Sequence, residues 1–182
     1  MAVDRRVVSK RLSYVLRHDP ASVGMQLDPG GWVDIETLLA ALAAHGTRLS
    51  RPELDALVAG GDKQRFVVSD GCIRAAHGHS VAVDLGYRAE QPPAVLWHGT
   101  SQDAVESILA TGLSPRSRRQ VHLSSDVATA RTVGARHGRP VVLAVDAGRM
   151  AADGHRFYRS TSGIWLTARV PAGYVSRATV EP

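Results

Sequence analysis

Residues 50–75 read SRPELDALVAGGDKQRFVVSDGCIRA and contain a helix start, a helix and a hairpin, in that order. Ser50-Arg51-Pro52-Glu53 is a capping box with proline just inside the helix start. Serine and glutamate each satisfy an amide that the first turn leaves unbonded, and proline brings no amide of its own. The spacing predicts a helix running to about Ala59. Beyond it, Arg65-Phe66-Val67-Val68 and Cys72-Ile73-Arg74-Ala75 flank Ser69-Asp70-Gly71, where the Asp-Gly pair signals a tight hairpin.

Upstream, Trp32-Val33 is a short extended piece, and Asp34 is an N-cap for an apolar helix over residues 35–44 that stops at His45-Gly46. Earlier still, Val8, Leu12 and Val15 recur at helical spacing over residues 4–17. Asp19-Pro20 closes that helix, because proline drives the preceding residue out of the helical region. Three helices followed by a two-stranded hairpin make a winged-helix arrangement, expected over residues 1–86. Such folds often bind nucleic acid, but fold analogy alone does not assign a role.

Downstream, Tyr87-Arg88-Ala89-Glu90-Gln91-Pro92-Pro93 lacks any apolar period and ends in a stiff proline pair, so residues 87–93 read as a linker. A second domain is expected over residues 94–182. Short apolar runs at 94–97, 121–123, 141–145, 164–166 and 174–180 alternate with expected helices at 102–110 and 126–137, the pattern of an α+β domain. Neither an internal repeat nor a low-complexity tract interrupts it.

A chain of 182 residues with 44% apolar content holds enough material for one large or two small cores. Its longest mostly apolar runs, at 38–44 and 141–145, fall well short of the roughly 20 residues that cross a bilayer. Residues 1–10 lack the apolar segment of a secretory signal. A single cysteine, Cys72, forbids an intrachain disulfide, and a cytoplasmic location is expected. The net charge of +5 points to an anionic partner. Residues 1–90 balance 11 basic against 11 acidic side chains, whereas 91–182 hold 11 against 6, so the whole excess lies in the second half. Only Lys10 and Lys63 of the 22 basic residues are lysine. Codon bias accounts for such a total, while guanidinium forks suit bidentate phosphate binding at particular positions. Arg6, Lys10, Ser13 and Arg17 form one stripe of the first helix, ending at Arg17-His18.

Four clusters in order, Leu16-Arg17-His18, Ile73-Arg74-Ala75-Ala76-His77-Gly78-His79-Ser80, Leu96-Trp97-His98-Gly99-Thr100 and Val121-His122-Leu123-Ser124, resemble the RNA 2′-phosphotransferase family across nearly the whole chain. That family uses NAD+ to remove an internal 2′-phosphate from RNA, classically tRNA after splicing. The resemblance implies an N-terminal winged-helix lobe that binds RNA and a C-terminal ADP-ribosyltransferase-like lobe that binds NAD+. It places Arg17, His18 and Arg74 on the 2′-phosphate, with Arg136 of Val133-Gly134-Ala135-Arg136-His137-Gly138 as a fourth catalytic cation. A phosphate monoester carries nearly two charges at neutral pH, so several fixed cations are needed to hold it for attack. Lys10 on the same stripe, Arg119 before the expected strand at 121–123, and His79 with Ser80 are further candidates for the RNA phosphate.

For NAD+, the resemblance places the His98 imidazole on a ribose hydroxyl and the Gly99 backbone on the nicotinamide amide, with Thr100 beside them. It adds His122, Leu123 and Ser124 as a second motif and Ser162-Gly163-Ile164-Trp165-Leu166-Thr167 as a third, with Ser162 where many relatives carry asparagine. Glycine at 99 would let the main chain approach the ligand. Many ADP-ribosyltransferases have a glutamate where this chain has Ile164, to activate a neutral nucleophile. A phosphate is already anionic, and a facing carboxylate would repel it. The implied reaction has two steps: the RNA 2′-phosphate displaces nicotinamide, then the ADP-ribosylated phosphate passes to the neighbouring ribose hydroxyl, releasing ADP-ribose 1″,2″-cyclic phosphate. In the second step the cations stabilise the phosphoryl charge and His18 is a candidate for proton handling. The scheme needs no metal, and the chain is expected to act as a monomer off the membrane. Two other readings share these residues: an ADP-ribosyltransferase that modifies phosphorylated RNA or DNA ends, and a non-catalytic winged-helix nucleic-acid binder with a nucleotide-sensing domain.

Overall fold

The computed structural model describes residues 5–60 and 64–178; Asp4, at the expected start of the first helix, and Thr179 and Val180, at the end of the last expected strand, lie outside them. The chain is α+β, as expected. It divides between Gly86 and Tyr87 into two compact units, each with its own core.

In the first unit, α1 (Arg5–Arg17) is followed by a 3-10 turn (Pro20–Val23), β1 (Val33–Asp34), α2 (Ile35–Ala44), α3 (Arg51–Ala59), β2 (Phe66–Ser69) and β3 (Cys72–Ala75). The caps read from sequence are in place. Asp34 Oδ1 accepts from the Thr37 amide at 2.8 Å, and the Ser50 amide donates to Glu53 Oε2 at 2.8 Å. Ser69 pairs with Cys72. That leaves Asp70 (φ 49°) and Gly71 (φ 76°) as a two-residue loop of the kind that matches strand twist. The extended piece at 33–34 joins the hairpin as a third strand, giving an antiparallel sheet in the order β1-β3-β2. Ile73 and Ala75 are fully buried beneath Leu12, Leu16, Ile35, Leu38 and Leu54. Strand alternation therefore sends Arg74 to the opposite face.

The second unit contains β4 (Val95–Ser101), α4 (Val105–Thr111), β5 (Val121–Leu123), α5 (Val127–Gly134), β6 (Pro140–Asp146), α6 (Ala147–Ala152), β7 (Phe157–Arg159), β8 (Trp165–Thr167) and β9 (Val175–Arg177). They form two antiparallel sheets, β4-β6-β9 and β5-β8-β7. Trp97 and Ser124 join the sheets by exchanging backbone hydrogen bonds of 2.9 and 2.8 Å. The expected linker is partly structured: Ala89 bridges Tyr158, and the Glu90 amide donates to the Phe157 carbonyl at 2.9 Å. Among the described residues no helix is long and apolar enough to cross a membrane.

Candidate active site

In the first unit, the stripe of Arg6, Lys10, Ser13 and Arg17 lines a groove of about 520 Å³ that ends at His18. The end of α1 is closed by the segment that follows β3. The orphan carbonyl of Arg17 accepts from the amides of Ser80 at 2.9 Å and Val81 at 3.3 Å. The same segment packs against the side chains of both Arg17 and His18. Ser80 Oγ stands 3.0 Å from His18 Nδ1, and Gly78 (φ 88°) lies against the stem of Arg17, where a Cβ would come within 3.7 Å of Cδ. Arg17 Nη2 donates to the Arg65 carbonyl at 3.5 Å.

Arg74 is built in more firmly. Its Nη1 donates to the carbonyls of Gly30 at 3.1 Å and Leu85 at 3.2 Å. Its guanidinium lies 4.5 Å from the centroid of the Trp32 ring. Nε is buried with no hydrogen-bond partner. The guanidinium is thus anchored at one corner and along one face, and the edge that carries Nε faces inward without a protein acceptor. A buried unmade donor costs about 1–3 kcal/mol, a cost that an anion in reach would remove. Neither Asp70 nor Asp84 pairs with it among the described salt bridges. His79 is only 4% exposed and packs beside Gly31 and Val83.

In the second unit, His98 lies on β4 with its Nδ1 3.3 Å from the His122 carbonyl on β5. Burial, then the charges of Arg116, His137 and Arg118, hold its pKa below the ordinary histidine range, against the raising pull of that carbonyl. His98 is therefore neutral at pH 7. A carbonyl only accepts, so Nδ1 carries the proton and Nε2 is left as an acceptor, suited to a hydroxyl donor. His122 Nδ1 lies 3.1 Å from the Gln120 carbonyl, which fixes its ring in the same way. Thr100 and Ser124 are nearly buried beside them.

Three positions in this unit have settings that the sequence did not show. Gly99 is glycine because of α5: a Cβ there would lie 1.7 Å from the Ala130 carbonyl oxygen, an overlap that no side chain survives. Leu123 is a core residue, 1% exposed, so it has only its backbone to offer a ligand. Arg118 and Arg119 are both exposed. Although Arg118 remains partly open to solvent, burial and the charge of Arg136 both lower its pKa. Ile164 closes a tight loop in which its amide donates to Ser160 Oγ at 3.0 Å, and Ser160 Oγ is 3.0 Å from Ser162 Oγ. Arg136 is exposed just past the end of α5. None of the described salt bridges neutralises Arg116, Arg118 or Arg136.

A family model described as RNA 2′-phosphotransferase, Tpt1 / KptA family, matches residues 3–169. The chain belongs to the RNA 2′-phosphotransferase family. It is 56% identical over 170 residues to a probable RNA 2′-phosphotransferase of Agrobacterium fabrum, covering 92% of this chain and 91% of that one. It is 54% identical over 168 residues to a probable RNA 2′-phosphotransferase of Streptomyces coelicolor, covering 92% of each. The class is that of a transferase.

For this RNA 2′-phosphotransferase family member the structure adds residues that sequence reasoning passed over. Trp32 stacks on Arg74, the Arg65 carbonyl receives Arg17, and Arg116 and Arg118 bear on His98. The contact between Trp32 and Arg74 spans 42 residues and left no local mark.

Proposed function

We propose that the chain is an NAD-dependent RNA 2′-phosphotransferase that removes an internal 2′-phosphate from RNA of the tRNA-splicing type in two steps. Arg17, His18 and Arg74 grip the 2′-phosphate, and Arg136 stabilises charge on the phosphoryl group during transfer. The observation that carries this reading is Arg74, whose Nε is buried without an acceptor while Nη1 and the ring face are committed to protein. Guanidinium forks held in this way select planar or tetrahedral oxyanions over point charges. The winged-helix arrangement of the first unit and an ADP-ribosyltransferase-like second unit belong to the same proposal.

The residues of the second unit fit NAD+. A neutral His98 with its acceptor nitrogen outward suits a ribose hydroxyl, and the unneutralised Arg116 and Arg118 suit a dinucleotide's phosphates. NAD+ would supply the electrophilic ribose and the ADP-ribosyl group on which the phosphate leaves, with nicotinamide and ADP-ribose 1″,2″-cyclic phosphate as products. His98, His122, Thr100, Ser124 and the Ile164 loop hold and orient it. His18, set by Ser80, handles the proton of the transfer step.

The test is an incubation of the chain with NAD+ and a short RNA carrying one internal 2′-phosphate, followed by mass spectrometry. The expected products are RNA with a plain 2′-hydroxyl and ADP-ribose cyclic phosphate. A persistent ADP-ribosylated RNA would support end modification instead, and unchanged substrates would support the non-catalytic binder.

A further inference from the structure

We infer that the groove along α1 is a track for single-stranded RNA that holds phosphodiester groups adjoining the modified nucleotide; this deepens the RNA reading above and rests on it. The groove is lined by Arg6, Lys10 and Arg17 from one face of α1 and by Arg65 from the chain entering β2, and among the described residues no acidic side chain lines it. From residue 6 to residue 17 an α-helix rises about 16 Å, which is longer than a single phosphate group. A site for the 2′-phosphate alone would need only the Arg17 end. The rest of the cationic face has the length and sign of a backbone track.

Two features select a polynucleotide over another anion. Ser9 and Ser13 place hydroxyls between the cations, matching the mixture of charged and hydroxyl donors that proteins turn towards phosphates and sugars. Ser9 also holds Arg65, whose Nη1 donates to its Oγ at 3.3 Å. Tyr14, 46% exposed, stands on the same groove with its ring centroid 5.9 Å from that of His18. An exposed aromatic ring among cations is a platform for an unstacked base, which a single strand offers and a duplex does not. A concave, hydroxyl-lined groove suits a chain of phosphates better than it suits a flat bilayer surface.

The probe is a fluorescein-labelled octamer of oligouridine without any 2′-phosphate, bound to the full chain without NAD+ and followed by anisotropy from low to high salt. Arg6→Ala/Arg65→Ala is expected to weaken binding about tenfold at low salt and to make the slope of log affinity against log salt shallower by about 1.4, two lost contacts at roughly 0.7 each. Arg6→Lys/Arg65→Lys keeps most of the slope and guards against a folding effect. Arg149→Ala/Arg177→Ala removes the same charge from the second unit and leaves the slope as in the wild type. Equal weakening by both alanine pairs would show bulk charge rather than a track and overturn the inference. So would failure of the wild type to bind the octamer, tighter binding of the matching duplex, or binding only to vesicles rich in phosphatidylserine. The octamer lacks the reacting group, so a chain that removes 2′-phosphate but ignores it loses the track alone. A chain that binds it but leaves a 2′-phosphate in place loses the proposed activity alone.

Discussion

In the first unit His18 stands exposed at the end of α1 with Nδ1 against the hydroxyl of Ser80, whereas in the second unit His98 is sunk beside β5 with Nδ1 against the carbonyl of His122. A hydroxyl both donates and accepts, so His18 is held in place whichever protonation state it adopts. A carbonyl only accepts and burial penalises charge, so His98 is confined to one neutral tautomer. The same contrast separates their surroundings. Around His18 lies a cationic groove with a firmly anchored Arg74 in the same unit, while around His98 the cations act at longer reach on a residue that stays uncharged. The first arrangement suits a group that meets a dianion and shuttles a proton. The second suits a fixed acceptor for a neutral ligand hydroxyl.

The largest expected effect tests the second region's architecture. Gly99→Ala should cost about 3 kcal/mol or more, seen as a large drop in the thermal midpoint, because strand β4 and helix α5 cannot separate cheaply. A variant that melts normally and only loses NAD+ would restore ligand approach as the reason for that glycine. Next, Arg17→Ala should lower kcat/KM for 2′-phosphorylated RNA by about 100-fold or more with NAD+ affinity unchanged; loss of NAD+ affinity would erase the distinction between the two regions. Ser80 is a positioning residue. Ser80→Ala should lower kcat by about tenfold and displace the pH profile of kcat, with KM for NAD+ kept; an unmoved profile would deny its hold on His18.

The smallest effect is a pH dependence of stability. In the folded chain His98 takes up its proton only below the ordinary histidine value of 6.5, so as pH falls through 6.5 the unfolded chain binds more protons and stability declines. Above that pH the residue is neutral in both states and contributes nothing. His98→Asn should remove this part of the acid-side loss in chemical denaturation at a series of pH values.

What was legible in the sequence was local. The caps of α2 and α3 and the Asp-Gly loop are carried by residues within four positions of one another, and all three stand where they were read. Elements as short as α6 and β7 have too few residues for a period to show. β1 exists only because Val33 finds Ile73 forty residues later. In the site, matched motifs brought Arg17, His18, Arg74 and His98 to attention, but their settings come from distant groups: Ser80 for His18, Trp32 and Leu85 for Arg74, and His122 for His98. Gly99 was noticed for its lack of a side chain, and a helix was expected over 126–137, yet the packing of that helix against Gly99 could not be read at that distance.

The claim that the first unit reads the phosphate while the second serves NAD+ is tested most directly by Arg74→Ala. Affinities of the variant and the wild type are measured for one oligonucleotide with and without an internal 2′-phosphate, and NAD+ affinity is measured on the same samples. The wild type should prefer the phosphorylated strand by about tenfold or more, and the variant should bind both strands alike with unchanged NAD+ affinity. A variant that still prefers the phosphorylated strand, or that loses NAD+, would contradict the account.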